Sequence, residues 1–238
     1  EILKKNTIKL KSESIFSKYS VNRICAKNLI SPNDYPAENN TAFDGFAINS
    51  KDTLKLNKKK TKKFKILKTI AAGDNPNINN VPRFSAIEVM TGAIIKKPFD
   101  AVIPIEKINF FPNKKKPKYI IINKKIRKNQ YIRFKGSDYK KGEKVINKGQ
   151  IIKPSHVLAF MTLGVKKVRV KKKPKIVFYT TGNEISNKVK IPYWKIRNSN
   201  IHFIKSFLKN YPIEFYEKKI LRDNNKKLFK KEINKFLN

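Results

Sequence analysis

Five residues with acidic or hydroxyl side chains stand where the sequence predicts turns. These are Asp44, Thr91, Asp138, Glu184 and Asp223. Taken singly, such residues have plain structural explanations, as turn formers near glycine or as a helix N-cap. Together they form a set of oxygen donors suited to Mg²⁺, which binds a few carboxylates plus substrate phosphates. The set therefore indicates metal-assisted chemistry on a phosphorylated small molecule.

The segment KIVFYTTGNE, residues 175–184, is the element that would position Glu184. Its apolar run from Ile176 to Tyr179 is stopped by the polar residues 180–184, which predicts a buried parallel-type strand entering a turn. Ligands of open α/β sheets lie outside the carboxyl ends of the strands, so Glu184 stands where that architecture places chemistry. The alternative is a strand end followed by a solvated turn.

The pattern after residue 174 alternates between strand and helix. A helix is predicted to start near residues 199–200, with the apolar stripe Ile201, Ile204, Phe207, Leu208 and Tyr211. A second strand is predicted over 213–221, followed by a helix that Asp223 caps and that uses Phe229, Ile233 and Phe236. Two strands joined by a crossover helix form a parallel βαβ unit. Glu184 and Asp223 follow the two strands, so both carboxylates are expected at the same edge of the sheet.

The chain before residue 174 gives different patterns. Helical spacing of apolar residues over 1–30 predicts one or two helices. In the irregular stretch 31–50, Gly45 is expected to supply a positive φ to a turn that enters a strand. Short apolar runs over 51–135 predict a small β-barrel or folded sheet. A helix beginning at Pro154, closed by Gly164, and a brief strand over 165–170 are expected next.

Charge is the extreme feature of the composition. The chain has 56 Lys and Arg against 17 Asp and Glu, a formal net charge of +39, and 49 of the cations are Lys. Nucleic-acid-binding proteins concentrate charge on one face and use Arg for bidentate contacts, whereas Lys is spread here from end to end. The pattern indicates a drift of the whole composition toward Lys, Asn and Ile. The resulting field attracts polyanions non-specifically, and it would steer a phosphate-bearing substrate equally well.

Cysteine, histidine and apolar runs exclude several classes of protein. The single Cys25 excludes internal disulfides and fits a reducing compartment. His156 and His202 are too few soft ligands for a closed structural zinc site. No apolar run approaches the roughly 18 residues that span a bilayer, and no signal-peptide pattern opens the chain. We expect a soluble, cytoplasmic protein without a membrane partner, of which this chain is a fragment.

Four segments stand in a specific order and spacing. They are TAFDGFAI (41–48), EVMTGAIIKKPFDAVIPIE (88–106), RFKGSDYKKGEKVINKGQIIKPSHVLAFMTLGV (133–165), and PKIVFYTTGNEI (174–185) with RNSN (197–200). Together they resemble the molybdopterin molybdenumtransferase family, the MoeA and gephyrin E-domain proteins. The family elements are, in turn, S-x-M-D-G-Y-A, then I-M-T-G-A-x-x-P-x-G-A-D-A-V-x-x-x-E, then R-x-x-G-E-D-x-x-x-G with a helix ending in L-G, then P-x-V-x-x-x-S-T-G-D-E-L with D-x-N. The resemblance covers residues 40–238.

The chain departs from the family pattern at several positions. Phe46 stands for Tyr, Lys96 and Pro98 for Pro and Gly, Ser137 for Glu, and Asn183 for a frequent Asp. These changes leave the candidate acidic and hydroxyl residues in place. The family's Gly-rich S-G-G-x-S-x-G-x-x-D loop, its lysines and its C-terminal β domain would follow residue 238.

The resemblance implies an α/β multidomain fold. Residues 1–40 and 136–173 would form a helical or irregular linker (lever) domain, and residues 41–135 a small β-barrel-like insert. Residues 174–238 would form the first half of a three-layer α/β molybdopterin-binding domain. Because the lobes of this family complete the site from the opposite subunit, a homodimer is expected.

The resemblance also implies a Mg²⁺-dependent enzyme that inserts molybdate into adenylylated molybdopterin with release of AMP. Catalytic roles would fall on Asp44, Thr91, Asp138, Glu184 and Asp223. The last two would also hold the metal. Residues that would bind the cofactor substrate are Arg133, Thr181, Gly182 and Asn200. By hypothesis, Gly182 lets the backbone approach the ligand because it has no side chain.

Other functions stay open at this point. A related pterin-binding protein without insertion activity would share the α/β domain, although the β insert at 41–135 argues against it. The argument for a basic nucleic-acid-binding module is the net charge alone. The chain could also be an inactive partial gene product. An S-G-G-x-S motif encoded beyond Asn238 would settle the family.

A salt titration separates specific from non-specific nucleic-acid binding. We expect the affinity for a DNA duplex to fall by roughly 10³–10⁵ between about 50 and 200 mM salt, because counterion release would be its only source. Fluorescence anisotropy with two duplexes of unrelated sequence measures it. Salt-tolerant binding that prefers one sequence would contradict the prediction of no specific nucleic-acid partner.

Overall fold

The computed structural model describes residues 8–115, 117–223 and 226–237, which divide into two compact units. One unit comprises residues 1–29 and 145–238, and the other comprises residues 30–144. The linker, insert and pterin-binding domains expected from the resemblance are a finer division, and they stay a prediction.

The described residues contain short strands and three α-helices. In chain order the strands are β1 (Ser12–Phe16), β2 (Leu29–Ile30), β3 (Asn40–Thr41), β4 (Gly45–Ile48), β5 (Lys62–Ile70), β6 (Ser85–Val89), β7 (Ala101–Pro104), β8 (Asn109–Phe111), β9 (Tyr119–Ile122), β10 (Ile132–Arg133), β11 (Lys144–Ile146), β12 (Lys167–Lys171), β13 (Lys175–Phe178), β14 (Ile185–Ser186), β15 (Ile196–Arg197) and β16 (Glu214–Glu217). The helices are α1 (Pro154–Thr162), α2 (Ser199–Leu208) and α3 (Lys226–Leu237). Short 3₁₀ turns cover Ser17–Tyr19, Ser50–Thr53 and Ile105–Lys107.

A six-stranded, curled mixed sheet forms the unit of residues 30–144. Its strand order is β7-β4-β6-β5-β9-β8, in which β5 and β6 are parallel and the other neighbours are antiparallel. Successive residues of β4 face opposite sides: Phe46 and Ile48 join one apolar cluster, whereas Ala47 joins the other. This alternation buries both faces of the sheet. The short strands predicted over 51–135 are confirmed. They belong to a sheet whose two edge strands are β7 and β8.

Gly45 lies where β4 passes very close to β7. A Cβ atom on Gly45 would be 2.1 Å from the carbonyl oxygen of Ile103. Gly45 is not among the glycines with positive φ. The expectation of a positive φ at Gly45 is therefore wrong, since close strand packing, and not a left-handed turn, requires a glycine here.

The first described residues of the chain form a strand. β1 pairs antiparallel with β12, with Ile15 opposite Val168. Ile15 packs against a core cluster that includes Cys25, Phe160 and Val170. The helices predicted over 1–30 are wrong for residues 8–30, because pairing with β12 satisfies the backbone and outweighs the apolar spacing. Residues 1–7 lie outside the described part.

Residues 174–238 contain the parallel unit that the sequence predicts. β13 and β16 are parallel neighbours, with Ile176 opposite Phe215, and α2 lies between them in the chain. β13 is half-buried, whereas the sequence predicts a buried strand. In α2, Ile201 is buried but Phe207 is exposed. Tyr211, the last residue of the predicted stripe, is also exposed and lies beyond the end of the helix at Leu208.

The helices predicted to begin at Pro154 and to follow Asp223 also form. α1 begins with Pro154 at its first turn, and the following Gly164 has a φ of 73°, as predicted. In α3, Phe229 is 42 % exposed, whereas Ile233 and Phe236 lie outside the described side chains. The predicted cap by Asp223 involves residues 224–225, which also lie outside the described part. Within the described ranges, no helix is long and apolar enough to cross a membrane.

Substitution of Gly45 tests the close approach of β4 and β7. Gly45→Ala should lower the free energy of unfolding by about 3 kcal/mol or more, because the new methyl group meets a backbone carbonyl that cannot rotate away. Gly73→Ala is the control: Gly73 has a φ of +90° but open space around it, so a cost of about 1–2 kcal/mol is expected. Urea denaturation measures both. Equal midpoints for the two variants would contradict the steric role of Gly45.

Candidate functional site

The loop after β13 continues the parallel ladder before it turns away. Leu221 N–H donates to the Thr180 carbonyl at 2.9 Å, and Gly182 N–H donates to the Leu221 carbonyl at 3.1 Å. Thr181 thereby forms an isolated parallel bridge with Leu221. These bonds carry the two strand-end segments alongside one another as far as Gly182 and Arg222.

Glu184 folds back over Gly182. Gly182 has a φ of +137°, and a Cβ atom there would lie 2.7 and 2.8 Å from the two carboxylate oxygens of Glu184. Any side chain at position 182 would displace the Glu184 carboxylate as well as strain the backbone. Contact with the Glu184 carboxylate is thus a structural reason for glycine at position 182, and the hypothesis that Gly182 lets a ligand approach stays a prediction.

Asp223 and Arg222 hold the same loop from the second strand end. The Asn183 N–H donates to Asp223 Oδ2 at 3.3 Å. Arg222 donates to the carbonyls of Gly182, Asn183 and Ile185 at 2.9–3.2 Å. Asp223 is therefore bonded to the residue next to Glu184, at one end of the β13–β16 pair.

The two carboxylates at this loop suit a hard cation that also binds water and substrate oxygen atoms. Glu184 and Asp223 are both exposed carboxylates. Among the described residues, no group of three or more His, Cys, Asp or Glu side chains could hold a metal ion. Mg²⁺ usually binds one or two carboxylates plus water and substrate phosphates, and this pair suits that arrangement.

The start of α2 lies close to the same strand end. Thr180 Oγ1 donates to Asn198 Oδ1 at 3.0 Å, and Asn198 Nδ2 donates to Asn187 Oδ1 at 2.9 Å. A cavity of about 370 Å³ adjoins Asn198; its other lining residues include Ser186, Lys188, Arg197 and His202. Asn200, the predicted binding residue, is exposed in the first turn of α2 and is not part of this lining.

A second set of candidate residues lies in the unit of residues 30–144. Asp44 Oδ1 accepts hydrogen bonds from the Thr91 backbone N–H at 2.6 Å and from Thr91 Oγ1 at 2.7 Å. The Thr91 hydroxyl, and after it the Thr91 N–H, hold the pKa of Asp44 below its ordinary value. Asp44 is exposed and is therefore an ionised carboxylate at neutral pH, fixed at the end of the sheet.

Arg133 and Asp138 form an ion pair in the same unit. Ser137 Oγ also donates to Asp138 at 3.1 Å, and the Arg133 guanidinium lies 5.8 Å from the centre of the Tyr35 ring. Both members of the pair are more than a third exposed. The pair fixes the Arg133 side chain, which sequence analysis assigns to substrate binding.

The predicted site residues thus fall into two sets. Thr181, Gly182, Glu184 and Asp223 are brought together at one strand end in the first unit. Asp44 is brought to Thr91, and Arg133 to Asp138, in the second unit. Catalytic or binding roles for all of them stay predictions.

Sequence reasoning did not single out Arg222, Asn198 or Tyr131. Arg222 is one of only seven Arg in a chain with 49 Lys, and an Arg directly after a predicted strand was an available signal. Asn198 is 7 % exposed and joins two segments that are distant in sequence, which no local pattern shows. Tyr131 has a φ of 57°, a conformation that bulky residues rarely adopt, and its sequence context gives no sign of it.

The two units define the class of protein. A curled mixed sheet with an acid–hydroxyl pair at its edge accompanies a parallel βαβ unit with carboxylates after its strands, which is a multidomain α/β arrangement. The family model of the MoeA N-terminal region (domain I and II) matches residues 1–164. The chain belongs to the MoeA family, as the resemblance of its motifs predicts.

Relatives and solved structures agree with this assignment. Molybdopterin molybdenumtransferase of Staphylococcus epidermidis is 29% identical over 221 residues, which cover 92% of this chain and 51% of the relative. The enzyme of Staphylococcus aureus strain Mu50 is 32% identical over 197 residues, covering 82% and 45%. The chain spans about half the length of these curated relatives.

A crystal structure of a molybdopterin biosynthesis MoeA protein from Pyrococcus horikoshii OT3 superposes with a TM-score of 0.83 and 29% identity, covering 94% of this chain and 59% of that one. A second structure from the same organism gives a TM-score of 0.83 at 24% identity, covering 98% and 59%. The fold of the chain is therefore that of the corresponding part of MoeA proteins.

The bond between Thr91 and Asp44 can be tested by titration. Thr91→Val removes the hydroxyl donor, so the pKa of Asp44 should rise, while remaining below its ordinary value because the N–H bond stays. The stability that ionised Asp44 contributes is present at neutral pH and is lost as the pH falls through its folded-state pKa. NMR titration of the Asp44 carboxyl carbon measures the shift. Thr91→Ser should leave it unchanged, and an identical rise in both variants would contradict the assignment.

Proposed function

We propose that this chain acts within a molybdopterin molybdenumtransferase that inserts molybdate into adenylylated molybdopterin and releases AMP. Membership of the MoeA family supports the reaction class. The observation that carries the proposal further is the strand-end loop in which Gly182 admits the Glu184 carboxylate and Asp223 bonds the intervening residue. Cytoplasmic location and homodimer formation are further parts of the proposal.

The acidic residues of the site support a cation-binding role. The chain has more than three basic residues for each acidic one, so most carboxylates have lysines available to them. Among the described residues, however, no salt bridge within 4.0 Å involves Asp44, Glu184 or Asp223. Asp44 and Asp223 accept hydrogen bonds from backbone N–H groups, and Asp44 also accepts one from a hydroxyl group. The Glu184 carboxylate lies over Gly182. The negative charge of all three residues remains available to a metal ion.

The chain's own residues would divide the work as follows. Glu184 and Asp223 would hold Mg²⁺ by carboxylate oxygens, and the ion would neutralise charge on the adenylate phosphate during cleavage. Arg222 fixes three carbonyls of the loop that carries Glu184. Arg133, held by Asp138, would contact an anionic part of the substrate.

Glu184→Gln is the direct test, in the 238-residue chain and in any longer polypeptide that its gene encodes. Molybdate-dependent release of AMP should fall by roughly 100-fold or more, because the amide keeps the shape but loses the charge that binds the metal. The dependence on Mg²⁺ concentration should shift upward in the same variant. Liquid chromatography of AMP and of the cofactor product measures both effects.

Glu217→Gln is the matched control. Glu217 is an exposed carboxylate of the same unit, in β16, whose partner is Lys205 at 3.9 Å. Its loss should leave turnover within about twofold, as expected for a surface ion pair. Near-normal activity of Glu184→Gln in an active polypeptide would overturn the assignment of Glu184, and no molybdate-dependent turnover of any form would overturn the proposed function.

A further inference from the structure

Three segments meet beside Asp44 and carry two aromatic rings and a lysine. Phe43 and Tyr131 form an edge-to-face pair with ring centres 4.9 Å apart and planes at 75°. Lys107 Nζ lies 3.2 Å from the Tyr131 hydroxyl and 5.5 Å from the centre of its ring. We call Phe43, Tyr131 and Lys107 the aromatic corner.

Backbone hydrogen bonds fix the aromatic corner to the Asp44–Thr91 pair. The Ile105 N–H, in the 3₁₀ turn that carries Lys107, donates to the Asp44 carbonyl at 3.1 Å. The Ala42 N–H donates to the Tyr131 carbonyl at 3.2 Å. The rings and the lysine are therefore held beside an ionised carboxylate by bonds that do not depend on their side chains.

Tyr131 is held in a backbone conformation that disfavours a bulky side chain. Its φ of 57° is left-handed, as is the φ of 65° at Asn129, but Asn tolerates that region and Tyr does not. Val102 N–H donates to the Gln130 carbonyl at 3.0 Å and Ile132 pairs with Thr41, so the surroundings impose the conformation. The half-buried ring packs against the core cluster that includes Ala47 and Val102, and this packing offsets part of the backbone cost. The part of the ring that stays exposed lies beside Phe43 and Lys107.

The exposed surface of the aromatic corner suits a planar ring that carries a phosphate. Phe43 is 46 % exposed although it is aromatic and flanks the fixed carboxylate. In an edge-to-face pair, one ring contacts the other with its edge only, and the exposed part of Phe43 is the surface on which a planar ligand could pack. Lys107 is exposed at the rim of Tyr131 and supplies a cation within reach of a phosphate bound there.

We propose that Phe43, Tyr131 and Lys107 form a binding subsite for a phosphorylated heteroaromatic ring, adjacent to Asp44 and Thr91. The assignment of that ring to the substrate rests on the proposed function, in which adenylylated molybdopterin offers both an adenine and a pterin. Tyr131 and Phe43 are then specificity-determining residues that contact the ring, and Lys107 is the cation for the phosphate.

The test compares three probes by isothermal titration calorimetry at about 150 mM salt, which suppresses non-specific attraction to the basic chain. The probes are AMP, a pterin with a phosphomethyl group at C6, and ribose 5-phosphate, which has the phosphate without the ring. We expect saturable binding of at least one ring probe and at least 10-fold weaker binding of ribose 5-phosphate. The tighter of AMP and the pterin identifies which end of the substrate occupies the subsite. Equal binding of all three probes, or none, would overturn the proposal.

Tyr131→Asn is the decisive variant because it separates ring binding from folding. Asn accepts the left-handed backbone, which offsets part of the packing that the Tyr131 ring gives to its core cluster, so the variant should remain folded. Affinity for the ring probe should fall roughly 5- to 150-fold, the range for loss of one stacked aromatic. Tyr131→Phe keeps the ring and should bind within about threefold of the original chain. A folded Tyr131→Asn variant with unchanged affinity would refute the subsite.

Phe111→Leu is the matched control. Phe111 is 39 % exposed in the same unit and carries Lys63 over its ring at 3.2 Å, so it reproduces an aromatic–lysine pair away from Asp44. Its substitution should not change the affinity for the ring probes. Ring binding that survives in Glu184→Gln while turnover is lost supports both proposals, whereas turnover that persists in Tyr131→Asn with unchanged KM would refute the subsite alone.

Discussion

The pairing of β4 between β6 and β7 is the constraint on which the candidate site of the 30–144 unit depends. Both neighbours run antiparallel to β4, so the start of β4 lies next to the ends of β6 and β7. Asp44 precedes β4, Thr91 follows β6 and Lys107 follows β7. The strand pairing alone thus collects three chemically distinct side chains at one end of the sheet. Gly45 permits it, since any side chain there would push β4 away from β7.

Much of the fold could be predicted because local pattern and tertiary structure agree in it. The apolar runs that form β5, β6, β7 and β9 are bounded by turn residues, and the parallel β13–β16 unit follows from its crossover helix. The helix prediction for residues 8–30 was wrong for the opposite reason. The helical spacing of Ile15, Phe16 and Tyr19 is real, but Phe16 is 53 % exposed and Tyr19 is 69 % exposed, and pairing of β1 with β12 decides the conformation.

The candidate site was predictable as a set of residues but not as a geometry. Asp44 and Thr91 are 47 residues apart, and their hydrogen bond depends on the register of β4 against β6, which no local signal contains. The sequence predicted that Glu184 lies just after a strand. Its position over Gly182 depends on the φ of +137° at Gly182, which no local sequence pattern specifies. The sequence did not point to Tyr131, because aromatic residues rarely adopt a left-handed φ. The hydrogen bonds of the residues on both sides of Tyr131 impose that conformation.

The few arginines of this lysine-rich chain bond backbone carbonyls and carboxylates at several points. A lysine ammonium is a compact point charge, whereas a guanidinium presents donors in a fixed plane. Arg222 spans three carbonyls of the loop that carries Glu184, and Arg197 donates twice to the Val189 carbonyl. Arg133 pairs with Asp138, and the buried Arg23 bonds both Glu13 and the Lys171 carbonyl. Arg222 and Arg23 each reach their acceptors with one terminal nitrogen, whereas Arg197 uses two nitrogens on one carbonyl. Arg222 holds the backbone on both sides of Glu184, because its three carbonyl partners belong to Gly182, Asn183 and Ile185, so the geometry of the strand-end loop depends on it more directly than on any of the other three.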